Sequence, residues 1–181
     1  MDKKENRKIR ITRMVLKDSL IELMKLKPIL SISIKDICEH ADMSRSTFYA
    51  HYRDQYDLLR QIEKETLSYF EDMLNKYQDN LNKKEITQML EEMLTHIANN
   101  SNSIQVLLSE NGDIDFQKKM FRHFTSHKQV IKYFSEKQKD NESYYSVFLV
   151  HGAIGLVQHW LKNNMSMPVK ELAKMLIKWT E

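Results

Sequence analysis

Residues 32–59 read ISIKDICEHADMSRSTFYAHYRDQYDLL, and the start and stop signals in this stretch decide the fold. Ser33 with Asp36 three positions on is a capping-box pattern, with Asp in place of the usual Glu or Gln, and it opens a short helix, IKDICEHA. Asp42 and Met43 form a tight turn in which Asp tolerates a left-handed backbone. Ser44 caps a second short helix, RSTFYAHY, and Asp54 with Asp57 starts a third. Two helices of about eight residues, joined by about three and followed by a long one, have helix-turn-helix spacing.

Helical periodicity assigns the faces of the second short helix. Phe48 and Tyr52 are four apart and share a side, which is expected to pack toward Ile37 and Ala41. Ser46 and Ala50 point the opposite way. Arg45 with Tyr49 forms one flank, and Thr47 with His51 forms the other. The outward surface is cationic, hydroxyl-bearing and small near its tip, a shape that enters a DNA major groove about 12 Å wide. Arg45 suits a guanine edge, Ser46 and Thr47 suit bases or phosphates, and Ala50 suits a thymine methyl. Tyr49 and His51 would reach phosphate oxygens. Lys35, early in the preceding helix, sits where a phosphate would meet that helix's positive end. By spacing alone, a capped surface pair of helices with ordinary charge is an equally good reading.

Charge distribution favours nucleic acid. Seven basic residues lie between Lys3 and Lys17, preceded or interrupted by Asp2 and Glu5, and form a basic arm ahead of the motif. Residues 1–60 hold 13 basic and 9 acidic side chains, whereas residues 61–181 hold 15 and 16. The formal charge of +3 therefore arises in the first third of the chain. With 3 Gly and 2 Pro in 181 residues, an all-β fold of many hairpins is excluded. No apolar run reaches the roughly 18 residues of a membrane span. The opening MDKKENRKIRITR lacks the apolar centre of a secretory signal. A single cysteine, Cys38, leaves no internal disulfide and suits a reducing cytoplasm.

Outward from the motif the pattern stays helical. Leu16, Leu20 and Leu23 stripe a helix over Lys8–Lys27, stopped by Pro28. The helix from Asp54 carries Leu58, Leu59, Ile62, Tyr69, Phe70, Met73 and Tyr77. Ile86, Met89, Leu90, Met93, Leu94 and Ile97 stripe the next, and Asn99–Ser103 reads as a loop. IQVLLSE forms a short helix ended by Asn111-Gly112, a common left-handed stop. Asp113 or Asp115 caps a helix carrying Phe116, Met120, Phe124, Ile131 and Phe134. Residues 144–161, YYSVFLVHGAIGLVQHWL, are apolar on nearly every face, which in a small protein points to a subunit interface. Pro168 takes the first position of a last helix reaching Trp179. The expectation is an all-α protein of about nine helices without strands.

Other features carry blander readings. His123 and His127 have the spacing of two metal ligands on one helix, but no acidic or Cys partner is evident nearby, so they read as surface or core residues. His151 and His159 read as hydrogen-bonded structural histidines, and Cys38 as a small buried residue. Gly152 and Gly155 allow close backbone approach, across a dimer or beside a ligand. No phosphate-binding glycine loop, nucleophile elbow or HExxH occurs, so no enzyme and no cofactor are expected.

Residues 32–59 resemble the DNA-binding segment of TetR-family transcriptional regulators, through the Ile-Lys-Asp-Ile start, Ser-Arg-Ser-Thr-Phe-Tyr and the Tyr-Arg-Asp-x-x-x-Leu-Leu exit. The likeness covers roughly residues 8–60. LLSENGDIDF (107–116) and HGAIGLVQHWLKNNMSMPVKELAKML (151–176) resemble the regulatory domain of many Firmicutes members. The resemblance implies a homodimer whose third helix reads the major groove. It divides the chain into a DNA-binding domain over 1–57 and a ligand-binding and dimerisation domain over 58–181. Carried over by position, the DNA contacts are Lys35, Arg45, Ser46, Thr47, Tyr49, Ala50, His51 and Gln55. Asp42 departs from the usual glycine, and Gln55 from a frequent lysine, which weakens one phosphate contact. A ligand cavity among the middle helices is implied without a fixed lining; Met89, Met93, Met120, Phe148 and His151 are the candidates. The expected function is a repressor released from a pseudo-palindromic operator by a small-molecule effector. The alternatives are an activator or co-activator working through a protein partner, or a haem- or metal-sensing helical protein.

Overall fold

The computed structural model describes residues 3–77, 82–127, 133 and 142–180. Among these, nine α-helices and no strand occur. They are α1 (Lys3–Met24), α2 (Ile34–His40), α3 (Arg45–Tyr49), α4 (Gln55–Lys76) and α5 (Lys83–Asn99), then α6 (Ser101–Leu107), α7 (Ile114–Ser126), α8 (Glu142–Lys162) and α9 (Val169–Thr180). A single 3-10 turn, Ile29–Ser31, lies between α1 and α2. None of the described helices is long and apolar enough to cross a membrane. The chain forms two compact units: a head of residues 1–66 with 106–113, and a second unit of 67–105 with 114–181.

In the head, α1 packs on α2 and α2 on α3. Leu16, Leu20 and Met24 recur at four-residue steps and are fully buried, as are Ile37, Phe48 and Leu58. Val106, Leu107 and Leu108 are buried residues of the same unit, although about 40 positions separate them from the rest of it. Asn111 Nδ2 donates to the Met24 carbonyl oxygen at 3.1 Å and so satisfies an end group of α1 that has no partner within the helix.

Gly112 does not adopt the left-handed conformation expected of a helix stop, since no glycine in the described chain has positive φ. Glycine is needed there for space. A Cβ would run into the Leu107 carbonyl oxygen and lie 2.8 Å from that of Val106, both of them backbone atoms that cannot swing aside. Gly112→Ala is therefore expected to cost about 1–3 kcal/mol of head stability, read as a lowered urea midpoint with unchanged slope.

Several helix boundaries move. The basic arm is helical, continuous with α1 from Lys3, and α1 stops at Met24 rather than Lys27. Its end is tightened where Leu26 N and Lys27 N both donate to Leu23 O. The expected loop at Asn99–Ser103 shrinks to Asn100, whose side chain donates to His96 O at 2.9 Å, and α6 begins directly at Ser101. Pro168 lies just before α9, where its carbonyl accepts from Leu172 N at 3.1 Å. The continuation of α7 through Ile131 and Phe134 falls outside the described residues.

In the second unit, Leu172, Ala173 and Ile177 of α9 are buried where α9 packs on α5, whose own buried stripe is Ile86, Met89, Met93, Leu94 and Ile97. The α7 helix packs on α8. Phe70 meets Phe124 at 5.7 Å, and Tyr69 stacks on His96. The turn between α8 and α9 uses positive φ at Asn164 and Met165, and is tied by Trp160 Nε1 donating to Met167 O at 2.8 Å. The α8 helix is not buried all round within one chain. Tyr144 and Phe148 are 80% and 73% exposed, and a Cβ added at Gly152 or Gly155 would meet nothing within 4 Å.

Candidate nucleic-acid interface

The helix-turn-helix is set by caps. Ser33 accepts from Asp36 N at 3.1 Å while Ser33 N donates to the Asp36 carboxylate at 3.1 Å, completing the reciprocal box. Lys27 joins the same carboxylate at 2.9 Å. The Ser33 backbone N–H, followed by the Lys27 ammonium, holds Asp36 at a pKa of about 2, so the cap stays charged at neutral pH. Asp42 takes φ of 50°, the left-handed turn between α2 and α3. Asp57 N donates to Asp54 at 2.7 Å and Arg53 N to Asp57 at 3.1 Å, fixing the start of α4. The Arg53 N–H bond is the main reason the Asp57 carboxyl lies below the ordinary range.

These caps aim α3. Phe48 is fully buried and Tyr52 is 6% exposed, beside the buried Ile37 and Ala41. Arg45, Ser46, Tyr49 and Ala50 are exposed, and Thr47 and His51 are half-buried on the flank. The helix itself is shorter than the sequence suggests, ending at Tyr49 with Ala50 as its cap. His51 N and Tyr52 N still donate to Phe48 O, so the last turn tightens without changing the faces. Lys35 is exposed on the first turn of α2, 3.6 Å from Glu39. Gln55 is half-buried at the first position of α4.

Sequence reading missed two features of this surface. Ser44, besides capping Thr47 N at 3.2 Å, shares hydroxyl bonds with Ser46 at 2.8 Å and Thr47 at 2.9 Å, making a three-hydroxyl cluster at the tip of α3. The spacing Ser-x-Ser-Thr is the signal that could have found it. The second concerns the basic arm. Lys17 points at Glu65 of α4, 2.5 Å away, and is only 21% exposed, so it braces the head. Arg7, Lys8, Arg10 and Arg13 remain exposed. Cys38 is buried, and burial raises its thiol pKa against the opposing Arg45 charge.

The candidate ligand residues lie apart in character. Met89, Met93 and Met120 are buried in the second unit, whereas Phe148 and His151 are on the exposed side of α8. The His151 ring lies tilted against Phe121, 4.0 Å between centroids, and shares a hydrogen bond with Val147 O at 2.9 Å. An open groove of about 390 Å³ lies between α4 and α5, lined in part by Tyr69, Met73, Glu91, Glu92 and His96. Among the described residues no cluster of three or more His, Cys, Asp or Glu could hold a metal ion.

Comparison with known proteins agrees with this architecture. Residues 18–62 match the family described as bacterial regulatory proteins, tetR family, and residues 84–181 match a family described as transcriptional regulator C-terminal region. No curated protein gave a significant match. Among solved structures, a TetR transcriptional regulator from Streptococcus agalactiae is 23% identical, with TM-score 0.66 over 98% of this chain and 97% of that one. The dihydroxyacetone kinase operon activator DhaS is 18% identical, with TM-score 0.58 over 94% of each chain. FadR from Bacillus subtilis in complex with stearoyl-CoA is 14% identical, with TM-score 0.65 over 92% and 96%. These likenesses establish the shared all-α fold. With an N-terminal helix-turn-helix and a matched regulatory region covering more than half its length, the chain belongs to the tetR family of bacterial transcriptional regulators.

Proposed function

We propose that the protein is a homodimeric repressor that leaves a pseudo-palindromic operator when a small molecule binds its regulatory domain. The observation that carries the reading is the solvent-facing surface of α3: Arg45, Ser46, Tyr49 and Ala50 exposed around a fully buried Phe48. In this reading residues 1–57 read DNA and 58–181 dimerise and bind the effector. Arg45, Ser46, Thr47 and Ala50 face base edges, while Lys35, Tyr49, His51 and Gln55 face phosphates. Two α3 helices, one from each protomer, occupy successive major grooves about 34–36 Å apart. The open face of α8, with Tyr144, Phe148, Gly152 and Gly155, is the surface that a second copy covers.

The effector changes operator affinity only as far as it prefers one half-site spacing over another. The chain passes between the two units at three places: within α4, within α6, and just before α7. The last two enclose residues 106–113, so a shift in α6 or α7 bears on the segment that Asn111 ties to the end of α1. The three buried methionines favour an effector with an apolar body. The name of DhaS, an operon activator, supports activation as the second reading.

The test is a gel-shift assay on DNA upstream of the protein's own gene. Wild-type dimer is expected to bind at moderate salt, with Arg45→Ala weakening binding about 10–100-fold, the equivalent of about 1–3 kcal/mol for one base contact. A dimer that binds no such DNA, with Arg45→Ala indistinguishable from it, refutes the DNA-binding reading. Transcription from the bound promoter after gene deletion rises for a repressor and falls for an activator.

A further inference from the structure

We propose that the groove between α4 and α5 binds a small planar organic cation, such as an N-alkylated heteroaromatic ring. The groove is built wholly from residues of the second unit. Gln88, Glu92, Thr95 and Asn99 of α5 follow one another at steps of four, three and four, so they share one face of that helix, with Glu91 alongside. Tyr69 and Met73, one turn apart on α4, form the facing wall. The volume of about 390 Å³ lies within the range of small-molecule clefts, roughly 300–1,000 Å³.

The rings define what kind of body fits. Tyr69 and His96 lie parallel, with 9° between their planes and 3.3 Å between centroids, and Phe70 meets His96 edge-on at 5.8 Å. Phe70 is itself buried, so the stack stands on the core. Tyr69, Met73 and His96 are half-buried and keep part of their surface open to the groove. Flat rings already held in place, with a polarisable thioether beside them, suit a flat ligand, because little side-chain freedom is left to lose on binding.

Charge decides between a cation and an anion. Two of the lining residues are glutamates, and none is Lys or Arg. Glu92 is answered from within the chain, by Lys76 at 2.7 Å and by Gln88 Nε2 donating at 2.9 Å. Glu91 differs. Its half-buried carboxylate has neither an ion pair nor a hydrogen bond among the described residues, and the neighbouring Thr95 hydroxyl donates instead to the Glu91 carbonyl oxygen at 2.7 Å. Burial lowers the His96 pKa, so that ring adds no positive charge at neutral pH. A carboxylate without a counter-charge, close to an aromatic face, attracts a cation through its own charge and through the ring quadrupole, and disfavours an anion on both counts. A bare metal ion fits poorly, since no three His, Cys, Asp or Glu gather around one point among the described residues.

Fluorescence titration of the purified full-length protein with thioflavin T, a planar cation that brightens when held rigid, tests this without operator DNA. Saturable binding of one dye per chain is expected, and anilinonaphthalene sulfonate, an aromatic anion, should not displace it. Glu91→Gln keeps the shape of the side chain and removes its charge, and is expected to weaken dye binding about fivefold. Tyr69→Leu should weaken it to a similar degree. Glu171→Gln, at an exposed position of α9 outside the groove, removes the same net charge and should bind like the wild type. Absence of saturable binding to the wild type, displacement by the anion, or Glu91→Gln indistinguishable from the wild type overturns the proposal. So does an equal loss in Glu171→Gln. With no DNA present, such a failure leaves the operator reading standing, and a protein that binds no operator can still bind the dye.

Discussion

Replacing Phe48 by alanine is expected to abolish operator binding without removing any of the proposed DNA contacts. Phe48 is fully buried beneath α3, between the aromatic rings of Tyr49 at 5.9 Å and Tyr52 at 5.8 Å. Truncating a buried phenylalanine costs about 3–5 kcal/mol, the lost transfer energy plus the cavity it leaves. Against a domain stability of about 5–15 kcal/mol, that is a large fraction, and Phe48 is the largest of the head's fully buried side chains. The loss should appear as reduced amide protection across residues 1–66 together with a lowered denaturation midpoint. Tyr49→Ala separates the two effects. Tyr49 is 58% exposed, so its removal should leave the denaturation midpoint nearly unchanged while weakening DNA binding. If Phe48→Ala binds operator like the wild type, α3 is not held by the contacts described.

A charge on the open face of α8 is expected to convert the proposed dimer into monomers. Phe148 is 73% exposed in one chain, so Phe148→Glu removes little from the fold of the protomer. In a dimer the same change exchanges a buried ring, worth about 1.5–3 kcal/mol, for a carboxylate that loses its water shell. The two-fold axis applies the cost twice. Gly152→Arg acts by volume on the same face, where one chain leaves the position open. Both variants should elute as monomers in size-exclusion chromatography with light scattering. Both should also lose most operator affinity, because one α3 no longer helps to hold the other. Retention of the dimer in both would place the interface elsewhere on the protein.

Local features of this fold were legible because their causes are local. The Ser33–Asp36 box, the Ser44 cap and the Asp42 turn each involve residues within a few positions of each other, and all three form as their spacing suggests. The burial of Phe48 and Tyr52, with Arg45 and Ser46 outward, follows from one helical period. Gly112 shows where local reading stops. Its dipeptide matches a common turn signal, but the reason for glycine is the approach of the Val106 and Leu107 carbonyls, which no turn rule contains.

The candidate site divides in the same way. The outward residues of α3 were readable, whereas the fate of Lys17 was not, since its partner Glu65 is 48 positions away. A basic residue in a basic arm looks identical whether it meets a phosphate or a carboxylate of its own chain.

Sequence alone determined the class of fold, the helix-turn-helix and the side of α3 that meets solvent, because caps, turns and periodicity act over one or two helical turns. Only the tertiary structure decided that residues 106–113 belong to the head, that α8 keeps an uncovered apolar face, and that, among the described residues, His123 Nε2 and His127 Nδ1 find no partner. Each of these depends on which distant surfaces meet. Packing settles that through buried area and satisfied polar atoms, and the order of residues along one helix does not contain it.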